Sequence, residues 1–252
     1  CSMIITPENY FSSESSMFYM GASQFKAFLE CESAALANVR REWVEEPTTA
    51  MLIGSYVDAH FSGTLDIFRA QHPEILLKSG GLKADFRHAQ YIIARMERDP
   101  FYMKYMAGEK QVIRTGEIAG VPFKIKIDVL HPGKAIVDQK VMKDFEPVWK
   151  DGAKRPFAEA WGYDIQGAIY REIEGTNLPF YLAAATKQDE PDLAVISIPA
   201  DVLDEKIMLV RELAPRFQAI KQGREQPHRC EKCDYCRATK VLSVPVDYRD
   251  IA

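Results

Sequence analysis

Residues 112–140 read VIRTGEIAGVPFKIKIDVLHPGKAIVDQK, and the order of apolar and turn-forming residues in this stretch decides the fold. Three segments, 112–118, 123–130 and 135–140, alternate apolar and polar positions or are rich in β-branched residues, which is typical of strands. Two turn-forming triplets separate them, Gly120-Val121-Pro122 and His131-Pro132-Gly133. The stretch therefore predicts three antiparallel strands joined by hairpins.

The flanking sequence predicts helices on both sides and two further strands. Apolar residues recur at helical spacing before the strands, and Ser23 is expected to cap the first helix. Pro156 is suited to the first turn of the helix that follows the strands. The predicted helices span 24–43, 49–70, 85–98, 156–174 and 201–221, and the added strands span 178–186 and 193–198. This order predicts an α/β sandwich in which helices flank a central mixed sheet.

Composition favours a folded chain without internal linkers. The chain has 252 residues, of which 47% are apolar, and it contains no repeat or low-complexity tract. We therefore expect a single domain over 1–252, with a helical N-terminal part (1–108), a core (109–222) and a cysteine-rich tail (223–252).

Charge and hydropathy exclude some classes of protein. A net charge of −4 excludes a general cationic attraction to nucleic acid, although residues 121–155 carry eight basic against five acidic side chains, a local basic patch. Uncharged runs such as 177–186 are shorter than the ~20 residues of a membrane-spanning helix. The first basic residue is Lys26, so no secretory leader is predicted, and we expect a soluble protein in the reducing cytoplasm.

Two acidic residues and a lysine are expected to converge at the ends of neighbouring strands. Asp128 ends one predicted strand, and Asp138-Gln139-Lys140 ends the next. Carboxylate and carbonyl oxygens are the ligands that Mg²⁺ and Mn²⁺ select. Solvated charges at strand ends are the ordinary alternative, but the apolar flanks place these strands in the core, where unpaired carboxylates are costly. The pattern thus indicates a divalent-metal site with Lys140 beside it.

Polar residues on two predicted helices are further candidates. His60 lies on the second helix with Asp58 nearby, although a single helical histidine is more often structural than a ligand. Tyr163, Gln166 and Tyr170 are spaced by three and four residues, so they share one stripe of the helix after the strands. Their polar groups could hydrogen-bond a nucleic-acid backbone beside the metal, whereas a tyrosine at a core margin is the ordinary alternative.

Cysteines of the tail indicate a second metal centre. Cys230, Cys233 and Cys236 form two successive Cys-x-x-Cys steps, as in ferredoxin-type iron–sulfur sites that take a fourth ligand from elsewhere. Cys31 could be that fourth ligand. A zinc site made of His228 and the three tail cysteines is the competing interpretation, and free thiols are the third.

The order of these motifs resembles that of the PD-(D/E)XK nuclease superfamily, particularly its RecB-like and phage RecE (exodeoxyribonuclease VIII) branch. The matching motifs, spread over about half of the chain, are Gly54…His60, Asp128, Asp138-Gln139-Lys140 and Gln166…Tyr170. The resemblance implies a restriction-endonuclease-like fold and assigns metal binding to His60, Asp128, Asp138 and the carbonyl of Gln139. It also implies that Lys140 positions the attacking water and that Gln166 and Tyr170 orient DNA.

A second resemblance concerns the cysteines. The segment around Cys31, taken with the tail, is similar to the iron–sulfur nucleases related to AddB and to the CRISPR adaptation exonucleases. It implies a [4Fe-4S] cluster held by Cys31, Cys230, Cys233 and Cys236.

Taken together, the resemblances imply a Mg²⁺- or Mn²⁺-dependent exodeoxyribonuclease that processes double-stranded DNA ends in phage-type recombination. They further imply a single-strand annealing recombination protein as partner, and a homo-oligomer. Two alternatives from other classes remain open: a nuclease-like domain that binds nucleic acid without cutting it, and a protein whose cysteine centre is its primary function, as a redox sensor or electron carrier.

Overall fold

The computed structural model describes residues 3–250, so Cys1, to which the sequence assigns no role, lies outside the described residues. None of the helices within this range combines the length and the apolar character needed to cross a membrane.

Helices precede, interrupt and follow a set of strands. The N-terminal helices are α1 (Ser13–Phe18), α2 (Ala22–Glu30), α3 (Glu32–Val39), α4 (Thr49–Phe61), α5 (Leu65–Gln71), α6 (Ala84–Glu97) and α7 (Pro100–Met106). The strands are β1 (Glu109–Ile118), β2 (Val121–His131), β3 (Ala135–Met142), β4 (Val148–Lys150), β5 (Ala153–Arg155), β6 (Phe180–Thr186) and β7 (Leu193–Ile198). The remaining helices are α8 (Phe157–Ala160), α9 (Tyr163–Glu174), α10 (Ala200–Lys221) and α11 (Asp234–Ala238), and short 3₁₀ turns lie at Pro73–Ile75 and Tyr248–Asp250.

The central sheet is mixed, as the sequence predicts. Its strand order is β1-β2-β3-β6-β7, and a separate two-stranded hairpin is made of β4 and β5. β3 and β6 are parallel, whereas the other neighbouring strands of the central sheet are antiparallel. Because parallel strands need a crossover, the chain between them carries the β4–β5 hairpin, α8 and α9.

Apolar side chains cover both faces of this sheet. One layer joins Ile125 and Ile127 of β2 to residues of α2, α9 and α10. The other joins Val137 of β3 and Ala183 of β6 to residues of α4, α6 and α7. Successive side chains of a strand point to opposite faces, so one strand can contribute to both layers.

The crossover helix α9 lies very close to the sheet. A Cβ atom added to Gly167 of α9 would lie 2.6 Å from the ring of Phe180 on β6, so only glycine allows this approach. The approach holds the polar side chains of α9 over β3.

The predicted helix over 24–43 is wrong in its start and its continuity. The helix begins at Ala22 with Gly21 as its N-cap, not with Ser23, because Met20 forms a backbone bridge to Phe123 just before it. Cys31 is extended, with φ −161° and ψ 110°, and divides the segment into α2 and α3.

Two other predicted helices are also divided, in both cases at a glycine. Gly63, with φ 75°, lies between α4 and α5 where one helix over 49–70 was expected. Gly162, with φ 63°, separates α8 from α9 within the predicted helix over 156–174. Helical periodicity continues through both glycines, so the apolar pattern alone does not show that the chain changes direction there.

Candidate active site

The candidate site lies where β2 and β3 separate. Their pairing ends at the partners Val129 and Val137, and nearer the cleft the two strands diverge. The Asp128 carboxylate bridges the gap, because its Oδ2 accepts a hydrogen bond of 2.9 Å from the backbone N–H of Gln139. An acidic side chain thus replaces the missing partner of a strand N–H, and this holds Asp128 beside β3.

Asp138 is the most buried carboxylate of the cleft, with 1% of its surface exposed. Its Oδ1 accepts a hydrogen bond of 2.7 Å from Gln166 Nε2. Its Oδ2 lies 2.5 Å from Lys140 Nζ as an ion pair and accepts no hydrogen bond from the described residues. A buried carboxylate needs such partners, because its desolvation is costly.

Lys140 stays charged in this arrangement. Burial opposes the charge, but attraction to Asp138 and Asp128 outweighs it and raises the pKa of Lys140 above its ordinary value. As a strand residue two positions after Asp138, Lys140 points to the same face of β3. The cleft therefore contains a fixed ammonium group next to two carboxylates.

Asp138 and burial destabilise the charge of Asp128. Burial and repulsion by Asp138 raise the pKa of Asp128 well above its ordinary value, although Lys140 and the Gln139 N–H oppose this. A divalent cation held by these carboxylates would offset that repulsion, and their hard oxygens are the donors that Mg²⁺ and Mn²⁺ prefer. The residues present therefore fit a divalent metal.

Helix α4 contributes Asp58 to the cleft, together with Gly54 and Ser55. Asp58 Oδ1 accepts a hydrogen bond of 3.1 Å from Gln111 Nε2. Burial and repulsion by Asp138 raise the pKa of Asp58, while Lys126 lowers it. Asp58 is thus a third carboxylate facing the same site, which the sequence did not single out as a ligand. Its spacing of four from Gly54 is the signal that could have identified it.

His60 is not brought to the cleft. Two residues along a helix turn the side chain by about 200°, so His60 lies on the other side of α4 from Asp58. Its Nε2 lies 2.8 Å from Oε1 of Glu97, at the protein surface.

Helix α9 places its polar stripe over the strand gap. Gln166 holds Asp138, and the Tyr170 hydroxyl donates a hydrogen bond of 3.1 Å to the carbonyl of Lys126. Two ammonium groups lie over the ring of Tyr163: Lys140 Nζ is 5.3 Å and Lys26 Nζ is 5.4 Å from the ring centroid. Gln166 and Tyr170 therefore brace the site, and Tyr163 faces its cations.

The cleft has a volume of about 1100 Å³ and carries lysines from several elements. Besides Lys140, its lining includes Lys26, Lys126, Lys143 and Lys187. Burial and repulsion by Lys140 lower the pKa of Lys26 to about 8. The local basic patch expected from 121–155 is thus joined by lysines from α2 and from the chain after β6.

A second cluster lies at the other end of α2. The Sγ atoms of Cys31, Cys230, Cys233 and Cys236 all lie within 4.8 Å of one another, and within residues 3–250 no other set of three or more His, Cys, Asp and Glu ligand atoms is so compact. Cys31 Sγ is 3.6 Å from Cys236 Sγ. His228 is not part of this set. Its ring is exposed, and its backbone N–H donates to Glu32.

This fold and this site define the class of protein. A five-stranded mixed sheet flanked by helices, with Asp128 and Asp138-Gln139-Lys140 at the separated strands, is the restriction-endonuclease-like fold of the PD-(D/E)XK nuclease superfamily. Residues 21–239 match the family described as a PDDEXK-like domain of unknown function (DUF3799), and the chain belongs to that family.

Solved structures add a close relative. The crystal structure of a "Putative exonuclease" from Eubacterium rectale is 45% identical, with a TM-score of 0.94 over 99% of this chain and 98% of that chain. The structure of SSO0001 is 14% identical with a TM-score of 0.27, over 77% of this chain and 86% of that chain, and these values are too low to indicate a shared fold. No curated protein matches the chain significantly. Family and structural relative together support a nuclease.

Proposed function

We propose that this nuclease is a divalent-metal-dependent deoxyribonuclease that degrades double-stranded DNA from its ends. The observation that carries the proposal is the ion pair of buried Asp138 with Lys140, next to Asp128, at the base of a lysine-lined cleft. A purely structural role does not explain why three carboxylates that repel one another face a single cavity.

The metal ligands proposed are Asp128, Asp138 and the backbone carbonyl of Gln139. The contribution of α4 is assigned to Asp58 rather than to His60, because Asp58 lines the cleft and His60 is paired with Glu97. Mg²⁺ or Mn²⁺ held by these residues would supply Lewis acidity at the phosphate and would activate a water molecule as nucleophile at neutral pH.

The chain's own residues position the other reactants. Lys140 carries a proton, so its ammonium group donates to the attacking water and stabilises negative charge that develops on the phosphate. Gln166 fixes Asp138 in one orientation through its amide. The pre-set geometry means that little reorganisation is needed during the reaction.

DNA binding is assigned to the lysines of the cleft and to Tyr163. Phosphate contacts by lysines position a duplex without reading its sequence. The side chains of Gln166 and Tyr170 already hydrogen-bond Asp138 and the Lys126 carbonyl, respectively. We therefore assign them to holding the shape of the site rather than to direct contact with DNA.

End-labelled linear duplex and closed circular duplex of the same sequence test the proposal. With Mg²⁺ or Mn²⁺ we expect degradation of the linear substrate alone, and no cleavage with chelator. Equal cutting of both substrates would show an endonuclease. Binding without cleavage under every metal condition would establish the non-cleaving alternative.

The biological setting rests on resemblance to the phage RecE branch alone. On that basis we assign the enzyme to end processing in recombination, with a single-strand annealing protein as partner and a homo-oligomer as its working form. Sedimentation of the purified protein measures the oligomeric state. Co-elution with a purified annealing protein, with and without tailed duplex, tests the partner.

A further inference from the structure

We propose that Cys31, Cys230, Cys233 and Cys236 bind one zinc ion in a closed tetrahedral site, rather than an iron–sulfur cluster, and that this ion fastens the C-terminal tail to the start of α3. The proposal concerns a site separate from the acidic cleft and does not depend on nuclease activity.

The spacing of the sulfur atoms carries the proposal. A Zn–S bond of about 2.3 Å places the sulfurs of a tetrahedral site about 3.8 Å apart. The observed Sγ separations are 3.6 Å for Cys31 and Cys236 and 3.9 Å for Cys230 and Cys236. All four sulfurs lie within 4.8 Å of one another, which is the size of a single-ion site.

An iron–sulfur cluster needs more room than these residues leave. In a [4Fe-4S] cluster each thiolate binds a different iron, and the irons and sulfides fill the space between the thiolates. In a [2Fe-2S] cluster the thiolates on different irons are likewise held apart by the cluster. Sulfurs at van der Waals contact cannot enclose either one. The residues therefore do not fit the cluster that resemblance to the iron–sulfur nucleases implies.

Backbone N–H groups donate to two of the four sulfurs. The backbone N–H groups of Lys232 and Cys233 point at Cys230 Sγ at 3.4 and 3.3 Å, and the N–H of Cys236 points at Cys233 Sγ at 3.5 Å. Such N–H groups are the outer contacts that orient metal-binding sulfurs.

The ion would close a loop of about 200 residues between Cys31 and the tail, which explains why the tail docks where it does. Direct contacts join the same segments: the N–H of Ser33 donates to the carbonyl of His228 at 3.1 Å, and the N–H of His228 donates to Glu32 at 2.7 Å. The rings of Trp43 and Tyr235 also pack edge to face. Because a metal that binds only the folded state stabilises it, zinc removal should release the tail first.

Metal analysis of the full-length protein, purified anaerobically from cells supplied with both iron and zinc, tests the proposal. We expect about one zinc per chain, no iron or labile sulfide, and a colourless solution. Replacing the zinc by Co²⁺ should give the visible absorption of tetrahedral cobalt with thiolate charge transfer. Stoichiometric iron and sulfide, or a protein free of metal in which Co²⁺ produces no such spectrum, would overturn the proposal.

Limited trypsin digestion tests whether the ion holds the C-terminal tail against α3. Chelation should unfold the tail and so make the bonds after Arg229, Lys232 and Arg237 cleavable, and added zinc should protect them again. Cys233→Ser should lose the bound zinc, whereas His228→Ala, the matched control, should keep it. If Cys233→Ser fails to fold, the metal content and the chelation response of the unaltered protein decide the question. Retention of the tail's protection after complete zinc removal would contradict the fastening role.

Discussion

Asp138 differs from an ordinary strand-end carboxylate because both of its oxygens are held inside the protein. Gln166 binds one oxygen and Lys140 the other, and the neighbouring Asp128 repels the charge. Such an arrangement is unfavourable for folding alone and suits a site that receives a cation. At the residue scale, we therefore propose that the function depends on the charges of the two aspartates.

Removing one charge should abolish cleavage while keeping the shape. We expect Asp138→Asn to lower the Mg²⁺-dependent rate on linear duplex at least about 100-fold, because a metal ligand contributes several kcal/mol. Initial rates on labelled duplex measure this. Asp189→Asn, in the exposed loop between β6 and β7, is the matched control and should leave the rate unchanged. An Asp138→Asn protein of normal activity would exclude this carboxylate as a ligand.

A second pair of variants separates the two candidates on α4. We expect Asp58→Asn to lower the cleavage rate at least about tenfold, because Asp58 faces the cleft. His60→Asn removes only a surface contact between His60 and Glu97, and exposed contacts of this kind are worth about 0–1 kcal/mol, so its rate should stay within about twofold. Titrating Mg²⁺ with each variant measures the effect. The opposite ranking would return the ligand role to His60.

At the scale of elements, the gap between β2 and β3 and the packing of α9 create the site together. The strands must diverge for Asp128 to take the N–H of Gln139, and α9 must lie close for Gln166 to reach Asp138. Gly167 allows that closeness. Both requirements are met by backbone geometry rather than by any one functional residue.

The small hairpin β4–β5 beside the cleft is expected to contact DNA. Trp149 on this hairpin is 73% exposed, and Lys154 lies opposite it in the register. Stacking of a base on an aromatic ring is worth about 1–3 kcal/mol, so Trp149→Ala should weaken DNA binding about 5- to 150-fold. Fluorescence anisotropy of duplex with a frayed end, in chelator to prevent cleavage, measures the affinity.

Tyr248→Ala controls for the loss of any exposed aromatic ring, because Tyr248 is 83% exposed on the tail. It should bind DNA as the unaltered protein does. Equal affinities of the Trp149 and Tyr248 variants would remove the hairpin from the DNA-binding surface. Unfolding curves should show no difference in stability for either variant, because neither side chain is buried.

Buried Lys221, at the C-terminal end of α10, is expected to make the stability of the protein depend on pH. Lys221 is 2% exposed and its Nζ donates to the Tyr19 carbonyl at 2.9 Å, and burial lowers its pKa to about 7. Between that pKa and the ordinary value of 10.5 the unfolded chain binds more protons than the folded chain. The free energy of unfolding should therefore rise with pH in this window, by at most about 1.4 kcal/mol per pH unit from this group.

Denaturant unfolding from pH 7 to pH 9 checks the direction. The half-buried Lys26 and the buried Lys124, whose pKa values burial lowers to about 8, act with the same sign. Lys221→Met should therefore show a smaller rise than the unaltered protein, and Lys104→Met, at an exposed position of α7, the full rise. An identical pH profile for Lys221→Met and the unaltered protein would mean that Lys221 is not held in its buried position.

At the scale of the whole molecule, one sheet supports both apolar layers. β2 and β3 contribute side chains to the layer under α9 and α10 and to the layer under α4 and α6. Loss of the sheet would uncover both layers at once. We therefore propose that 1–252 behaves as a single domain, with its helical N-terminal part folding together with the strands.

A single unfolding transition is the expected outcome. Far-UV circular dichroism reports the helices, and tryptophan fluorescence reports Trp43 near the tail as well as Trp149 and Trp161 near the cleft. In zinc-saturated protein the two signals should change at the same denaturant concentration. Two separate midpoints would show that the N-terminal helices form an independent unit.

The amino-acid sequence by itself determined the features that depend on local pattern. Alternation and turn residues predict β1, β2, β3 and the mixed sheet, because side-chain period and turn chemistry act over a few residues. The order of Asp128, Asp138-Gln139-Lys140 and Gln166…Tyr170 indicates the nuclease superfamily for the same reason, since each motif is a short segment on a predictable element.

Only the tertiary structure decided which side chains meet. Helical periodicity passes through Cys31, Gly63 and Gly162, but the backbone of Cys31 is extended and both glycines adopt positive φ. The choice between Asp58 and His60 depends on which side of α4 packs toward β3. The compactness of the four cysteines depends on where α3 meets a tail 200 residues away. Contacts between distant segments are set by packing of the whole chain, so the local sequence pattern does not predict them.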